Sequence, residues 1–244
     1  ILSGLVGSEM CIRDSSEGYD TLVIPTGNAA EAALVPDMNV LVADTLWDAY
    51  AWACGSDCLF LARDVARDCA PVTEEVADFC EVAGQHEAKW AAEVAAAGGH
   101  HVMMVGPPGS GKSMIASRLP SILPRLSTDQ SVEATAIHSV AGSLGSVVSR
   151  APFIAPHASV TKAALIGGGS GRPRPGAVSL AHHGVLFLDE VSEVPAQVLD
   201  GLRAPLEEGQ VRLARARREV TFPARFQLVL AANPCRCGTE DPAR

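Results

Sequence analysis

A glycine-rich stretch at residues 106–113, with the sequence Gly-Pro-Pro-Gly-Ser-Gly-Lys-Ser, has the clearest potential for chemistry in this chain. It fits the pattern G-x-x-x-x-G-K-[ST], in which glycines let backbone N–H groups turn inward around phosphate oxygens. The ammonium of Lys112 would bind the β- and γ-phosphates of ATP, and the hydroxyl of Ser113 would be a ligand for Mg²⁺. The pattern therefore predicts an ATP-binding loop made of Gly106, Pro107, Pro108, Gly109, Ser110, Gly111, Lys112 and Ser113.

The residues on either side have the character that such a loop requires. Residues 101–105 predict a short buried strand, and residues 114–119 predict a helix. The N-terminus of a helix favours anions, so a helix placed there supports phosphate binding. A glycine-rich turn that fits by chance is the alternative, and the order of strand, loop and helix disfavours it.

A second candidate is the stretch Val-Leu-Phe-Leu-Asp-Glu at residues 185–190, an apolar strand that ends in two acids. Asp189 would hold Mg²⁺, directly or through water, and Glu190 would polarise the attacking water. A buried strand with a solvated acidic end is the alternative. The phosphate loop in the same chain favours the catalytic interpretation.

A third polar residue, Asn233, follows the apolar strand predicted at residues 226–232. If that strand lies beside the Asp189 strand, the Asn233 amide could orient the lytic water. The alternative is a turn-forming asparagine before Pro234. We predict Glu190, Asn233 and Lys112 as the catalytic residues, with Ser113 and Asp189 as the metal ligands.

Composition limits the class of protein. The chain has 244 residues, 48% of them hydrophobic and 19% charged, which is typical of a globular core. The formal net charge of −9 argues against a uniformly basic nucleic-acid-binding protein, although it allows a local basic patch. No apolar run approaches the ~18 residues of a membrane span. For that reason we expect no membrane association. The seven cysteines fit no disulfide framework and the chain has a predicted ATP site, so we expect a reducing, cytoplasmic location.

The chain divides into segments of different character. We interpret residues 1–15 as a non-native segment that resembles a translated sequencing adapter, with a natural strand as the alternative. Residues 16–55 predict strand, helix, strand, helix, with Asn28 and Thr45 as helix caps. Residues 56–75 predict a linker, and residues 76–244 predict the nucleotide domain.

Inside the nucleotide domain, Thr128 or Asp129 is expected to cap a helix, and a long excursion follows at residues 142–183. In the excursion, residues 159–166 predict a helix and residues 172–176 a turn. Its histidines fit no metal-binding helix motif, so we expect structural or surface roles for them: His157, His182 and His183. Core or surface thiols are likewise the simplest interpretation of Cys54 and Cys58.

The motifs together resemble a known family, the magnesium-chelatase-like AAA+ ATPases, and most closely its YifB/ComM branch. The resemblance rests on the phosphate loop, on the Asp189 strand and on the following segments: 84–85, 167–169, 179–184, 202–207 and 223–235. It implies an α/β fold with a three-layer P-loop AAA+ core, in which helices flank a parallel sheet. The end of a Lon-protease-like α/β domain would precede this core, at residues 16–55.

The resemblance also implies a homo-oligomeric ring, a hexamer in the full-length form, that hydrolyses ATP. The family's arginine finger and lid would lie beyond residue 244, so we expect a truncated core with doubtful activity of its own. Family members often carry a second cysteine pair after the first. Cys235 and Cys237 would then be half of a metal site completed downstream.

The YifB/ComM branch implies a motor for DNA processing or branch migration. Local support comes from residues 211–222, which are rich in arginine and predicted to form a hairpin, and from one later arginine. The arginines concerned are Arg212, Arg215, Arg217, Arg218 and Arg225. Such a stripe could bind phosphates in a ring pore, or it could be a solvated face. A magnesium chelatase motor subunit and a regulatory nucleotide-binding subunit are the alternative functions.

Overall fold

The computed structural model describes residues 17–35, 38–56, 58–68, 77–142, 147–168, 173–215 and 218–234. Its contacts divide the chain into two compact units. The first unit comprises Ile1–Glu74 and Leu126–Ser149, and the second comprises Glu75–Arg125 and Arg150–Arg244. The single boundary that we predicted near residue 76 differs from this division, because residues 126–149 group with the first unit.

The strands of the described chain are, in order, β1 (Thr21–Pro25), β2 (Asn39–Ala43), β3 (Phe60–Leu61), β4 (Val102–Val105), β5 (Phe153–Ile154), β6 (Gly167–Gly168), β7 (Arg174–Pro175), β8 (Val185–Leu188), β9 (Gln210–Arg215), β10 (Arg218–Pro223) and β11 (Gln227–Ala232). The α-helices are α1 (Ala29–Ala32), α2 (Leu46–Ala53), α3 (Ala62–Asp68), α4 (His86–Gly98), α5 (Lys112–Ile122), α6 (Thr128–Ala141), α7 (Lys162–Ile166), α8 (Ala177–Leu180), α9 (Ala196–Leu199) and α10 (Arg203–Glu208). Short 3-10 helices lie at Thr26–Asn28, Phe79–Glu81, Val191–Glu193 and Asp200–Leu202.

The first unit contains a three-stranded sheet in the order β1-β2-β3. β1 and β2 are parallel, and β3 is antiparallel to β2. Helices α1 and α3 cover the sheet through the buried Ala29, Ala32 and Ala62. The segment that we interpreted as a linker, residues 56–75, therefore contains a strand and a helix that belong to this core.

The helix caps of the first unit are only partly as predicted. Thr45 forms a capping box with Asp48, as expected for the start of α2. Asn28 stands before α1 but makes no capping hydrogen bond with its side chain, so that prediction was wrong. The cap of α6 is Ser127, which forms a capping box with Gln130, one residue before the cap that we expected.

The second unit contains a four-stranded sheet in the order β4-β11-β8-β5, and all its pairings are parallel. β8 is buried along its whole length, as expected for an apolar strand inside a parallel sheet. Its neighbours are β11, where Leu230 is paired with Leu188, and β5, where Phe153 is paired with Val185.

Helices cover both faces of this sheet. Because successive side chains of a strand point to opposite faces, each strand contributes residues to two separate clusters. Val185, Phe187 and Val229 pack with α4, α5 and the Phe79–Glu81 turn in one cluster. Leu186, Leu188 and Leu228 pack in another cluster with α7, α8 and α9. The predicted three-layer α/β core is confirmed.

The excursion between α6 and β8 is more ordered than a turn-rich loop. Helix α7 begins at Lys162, capped by Thr161, three residues later than predicted. Residues 172–176 were predicted to be a turn, but β7 lies there and pairs with β6. At Gly176 a Cβ atom would lie 2.3 Å from the backbone nitrogen of Gly167, so only glycine permits this approach. Among the residues that the structure describes, no helix is long and apolar enough to cross a membrane.

Candidate functional site

The predicted site residues follow three neighbouring strands of the four-stranded sheet. The phosphate loop follows β4, Asn233 follows β11, and Asp189 follows β8. Because these strands are parallel, their carboxyl ends meet at one edge of the sheet, where ligands bind in open α/β folds. The order of the strands in the sheet thus brings residues that are distant in sequence together at this edge.

The phosphate loop has the backbone that a phosphate cradle requires. Gly109 and Gly111 have φ angles of 78° and 85°, a left-handed conformation that other residues adopt at a cost. Gly111 is also the residue directly before α5, so the loop opens onto a helix N-terminus. The N–H of Gly106 donates to the carbonyl of Ala232 at 3.2 Å, which ties the loop to the end of β11.

Lys112, the first residue of α5, lies over this loop. Its Nζ donates to the carbonyl oxygens of Gly106 at 2.7 Å and Pro107 at 3.0 Å, and lies 3.4 Å from Ser110 Oγ. It also donates to Oδ1 of Asn233 at 3.1 Å. The ammonium group is therefore held at the junction of the loop and β11.

Ser113 and Asp189, the predicted Mg²⁺ ligands, are in direct contact. Ser113 Oγ donates to Asp189 Oδ2 at 2.6 Å, and the backbone N–H of Glu190 donates to Asp189 Oδ1 at 2.8 Å. Hydroxyl and carboxylate oxygens are the ligands that Mg²⁺ prefers. The donor set and the adjoining phosphate cradle therefore fit a magnesium–nucleotide complex.

Glu190 has a left-handed backbone, with φ 48° and ψ 45°, and its side chain is exposed. A residue other than glycine adopts this conformation at a cost, and such residues cluster at active sites. The strand ends at this point, and the Val191–Glu193 turn begins with the N–H of Glu193 donating to the Glu190 carbonyl at 2.7 Å. The bend separates the Glu190 side chain from the buried strand.

Asn233 lies beside the Asp189 strand, as predicted. Its side-chain contact is with Lys112, not with an acid. The role that we predicted for it, orientation of the attacking water, stays a prediction.

Gln85, directly before α4, also contacts the loop, although we predicted no role for it. Its Nε2 donates to the carbonyl of Ser110, inside the phosphate loop, at 3.1 Å. The sequence offered one signal, the pair Gly84-Gln85 in front of a helix. That pair reveals nothing about a contact 25 residues away.

The segment that leads to Gln85, residues 78–85, is attached to α5. Glu81 forms an ion pair with Arg118 at 2.9 Å, and the N–H of Phe79 donates to Ser121 Oγ at 2.9 Å. Asp78 accepts a hydrogen bond from the N–H of Cys80, which lowers the pKa of the Asp78 carboxyl. The Asp78 side chain in turn raises the pKa of the Cys80 thiol.

His182 and His183 precede β8, so they lie at the amino end of that strand, away from this edge of the sheet. His182 is buried, and its Nδ1 accepts a hydrogen bond from the N–H of Arg225 at 3.0 Å. His157 Nδ1 lies 2.9 Å from Ser159 Oγ. These contacts are those of residues that hold local structure. Cys54 and Cys58 are free, exposed thiols, and residues 235–237, with the other cysteine pair, lie outside the described residues.

The predicted arginine hairpin is present as strands β9 and β10, in which Arg215 pairs with Arg218. Arg212 forms an ion pair with Glu208 at 3.3 Å, so one acid neutralises part of the stripe. Arg217 lies outside the described residues, and Arg225 is exposed after β10. Phosphate binding by this hairpin stays a prediction.

A parallel sheet between two helical layers, with a phosphate loop, an acidic strand end and a polar residue between them, defines a P-loop ATPase core of the AAA+ class. The family described as "Magnesium chelatase, subunit ChlI" matches residues 78–244, and this chain belongs to it. Among curated relatives, "Uncharacterized protein Rv2897c" of Mycobacterium tuberculosis is 52% identical over 229 residues, 93% of this chain and 45% of that protein. "Competence protein ComM" of Haemophilus influenzae is 40% identical over 241 residues, 97% of this chain and 47% of that protein.

"Uncharacterized protein YifB" of Escherichia coli is 38% identical over 244 residues, covering 97% of this chain and 46% of that protein. The chain thus spans about half the length of the curated relatives that it matches. The resemblance to the YifB/ComM branch is confirmed by these relatives.

Proposed function

We propose that this chain binds ATP with Mg²⁺ at the phosphate loop and hydrolyses it, as the ATPase core of a ring motor that acts on nucleic acid. One observation carries the nucleotide part of the proposal. The predicted loop lysine and the predicted metal ligands, which are far apart in sequence, meet at one edge of the sheet. There Lys112 contacts Asn233 at 3.1 Å and Ser113 contacts Asp189 at 2.6 Å.

The roles of the residues follow from their chemistry. The loop N–H groups and the Lys112 ammonium would bind the phosphates, while Ser113 and Asp189 would hold the metal. Mg²⁺ supplies neutralisation of the charge on the phosphates when it is bound. Glu190, exposed beside Asp189, would accept the proton of the attacking water. Asn233 would orient that water and, through its contact with Lys112, sense the occupied loop.

A ring is the assembly that this class of core suggests. Ring ATPases complete each site with an arginine from the neighbouring subunit, which stabilises charge on the transferring phosphoryl group. We propose a homo-oligomeric ring, a hexamer, for the full gene product.

Nucleic acid is the substrate that we favour. The support is the arginine-rich hairpin formed by β9 and β10, because guanidinium groups suit the phosphates of a nucleic-acid backbone. A chelatase motor is the second candidate, supported by the description of the family, "Magnesium chelatase, subunit ChlI". A regulatory subunit that hydrolyses little is disfavoured, because Asp189 and Glu190 are both present at the strand end.

The two candidates differ in what stimulates ATP turnover. In the full gene product, we expect DNA to raise the rate of ATP hydrolysis and a tetrapyrrole with Mg²⁺ to leave it unchanged. Stimulation by the tetrapyrrole alone would replace the nucleic-acid proposal with the chelatase one. The Glu190→Gln variant serves as the control for contaminating ATPases in both measurements.

A further inference from the structure

Gln85 lies outside the phosphate loop and yet contacts its backbone. The side-chain Nε2 donates to the carbonyl of Ser110 at 3.1 Å. The same amide borders the next residue, since a Cβ placed on Gly111 would lie 4.0 Å from it. Ser110 and Gly111 are the two residues before Lys112, so the contact falls in the part of the loop that leads into α5.

The backbone of Gln85 has a strained, left-handed conformation, and contacts of residues 78–85 and of α4 maintain it. Among the described residues, the non-glycine positions with positive φ are Gln85, His183 and Glu190. Gln85 has φ 53° and ψ 39°, and it follows Gly84, whose φ is also positive at 65°. A left-handed residue of this kind persists only where its surroundings fix it.

Two sets of contacts fix it. The Gln85 carbonyl accepts the first helical hydrogen bond of α4, from the N–H of Lys89 at 2.8 Å. Lys89 Nζ reaches back to the carbonyl of the buried Val82 at 2.9 Å. Further along the 78–85 segment, the Glu81–Arg118 ion pair joins it to α5, the helix that follows the loop. These contacts fix the backbone of Gln85, and so they fix the position from which its carboxamide reaches the loop.

The peptide bond between Ser110 and Gly111 links the Gln85 contact to the orientation of the Gly111 N–H. The carbonyl of Ser110 and the N–H of Gly111 belong to one planar trans peptide, so they point in opposite directions. A donor that holds the carbonyl on one side therefore holds the N–H on the other side. In a phosphate loop, such N–H groups are the ones that bind phosphate oxygens.

We propose that Gln85 is a positioning residue for nucleotide binding: its amide holds the Ser110–Gly111 peptide so that the Gly111 N–H is presented to phosphate. This inference rests on the proposed ATP site. Glycine at position 85 would keep the left-handed backbone and remove only the amide, since glycine adopts positive φ without strain. Glutamate would keep the shape but place a carboxylate against the Ser110 carbonyl and near the phosphates.

The test measures binding of ATP labelled with a fluorophore on its ribose, in Mg²⁺, together with the melting temperature of the full gene product. We expect Gln85→Gly to bind about 3- to 10-fold more weakly than wild type, as for the loss of one hydrogen bond. Its melting temperature should be unchanged or raised. Gln85→Glu should bind more weakly still. His86→Ala, a change at the exposed neighbour, is the matched control and should bind as wild type does.

The outcomes separate this inference from the proposed function. Wild-type affinity in a folded Gln85→Gly variant would overturn the inference and leave the ATP site intact. Loss of affinity that parallels a fall in melting temperature would assign Gln85 a purely structural role, which also overturns it. Equal binding by wild type and Lys112→Ala, or no binding by wild type, would overturn the ATP site and this inference with it.

Discussion

Ser113 Oγ donates a hydrogen bond to Asp189 Oδ2 at 2.6 Å, across a sequence separation of 76 residues. Each residue belongs to a separate motif, one at the start of α5 and one at the end of β8. Their contact places a hydroxyl and a carboxylate beside the phosphate cradle, and these are oxygen ligands suited to Mg²⁺.

Asp189→Asn should weaken the binding of Mg²⁺ at the nucleotide site. The amide can still accept from Ser113, so the fold around the pair should survive, but the negative charge is lost. We expect the Mg²⁺ concentration for half-maximal ATP binding to rise about 10- to 100-fold. A titration of Mg²⁺ at fixed ATP measures it, with the exposed Asp200→Asn as the matched control. An unchanged Mg²⁺ midpoint would remove Asp189 from the metal site.

Glu190→Gln should separate binding from chemistry. Lys112 and the loop contact the phosphates in the ground state, whereas Glu190 acts on water in the transition state. We expect ATP affinity within about twofold of wild type and turnover lower by about 10²–10⁴-fold. Equilibrium binding and single-turnover hydrolysis in the full gene product give the two values. Glu93→Gln, an exposed change on α4, should alter neither, and full turnover by Glu190→Gln would contradict the assignment.

The sequence predicted that Asp189, Asn233 and the loop lie together, because residues that follow neighbouring parallel strands share one edge of the sheet. Their functional roles stay predictions. Three features depend on long-range packing, and the sequence did not predict them. β3 and α3 looked like a linker, because Phe60–Leu61 is too short to show a period. The Gln85 contact depends on a left-handed backbone set by its neighbours, which residue types alone do not reveal. Residues 126–149 group with the first unit although they follow the phosphate-loop helix directly.

Gly184→Ala should destabilise the second unit. A Cβ atom at this position would lie 2.1 Å from the carbonyl oxygen of Pro152, a backbone atom that also accepts from Val185. Relief requires β5 and β8 to move apart, at a cost of about 1–3 kcal/mol. Denaturant unfolding measures the loss, and Gly27→Ala is the control, because nothing lies within 4 Å of its added Cβ. Wild-type stability of Gly184→Ala would contradict the pairing of β5 with β8.

Replacement of Arg217 and Arg218 by alanine should reduce the salt dependence of DNA binding. Each lost phosphate contact lowers the slope of log K against log salt by roughly 0.7–0.9. ATP affinity should change little, because the loop hydrogen-bonds to Ala232, Asn233 and Gln85, which lie outside the hairpin. The buried Val211 and Phe222 should still hold β9 and β10 in place. Binding of labelled DNA across a salt series gives the slope. An unchanged slope in the folded double variant would show that the hairpin is a solvated face that does not bind DNA.

Equilibrium binding of ATP to wild type and to Lys112→Ala tests the central claim most directly, namely that residues 106–113 form an ATP site. The Lys112 ammonium is held over the loop at 2.7 Å from the Gly106 carbonyl, where it can contribute a charge-assisted bond to phosphate. We predict measurable binding by wild type and affinity lower by at least about 10-fold in Lys112→Ala, with the melting temperature of the apo protein little changed. Equal affinity of the two folded proteins for ATP would contradict the account.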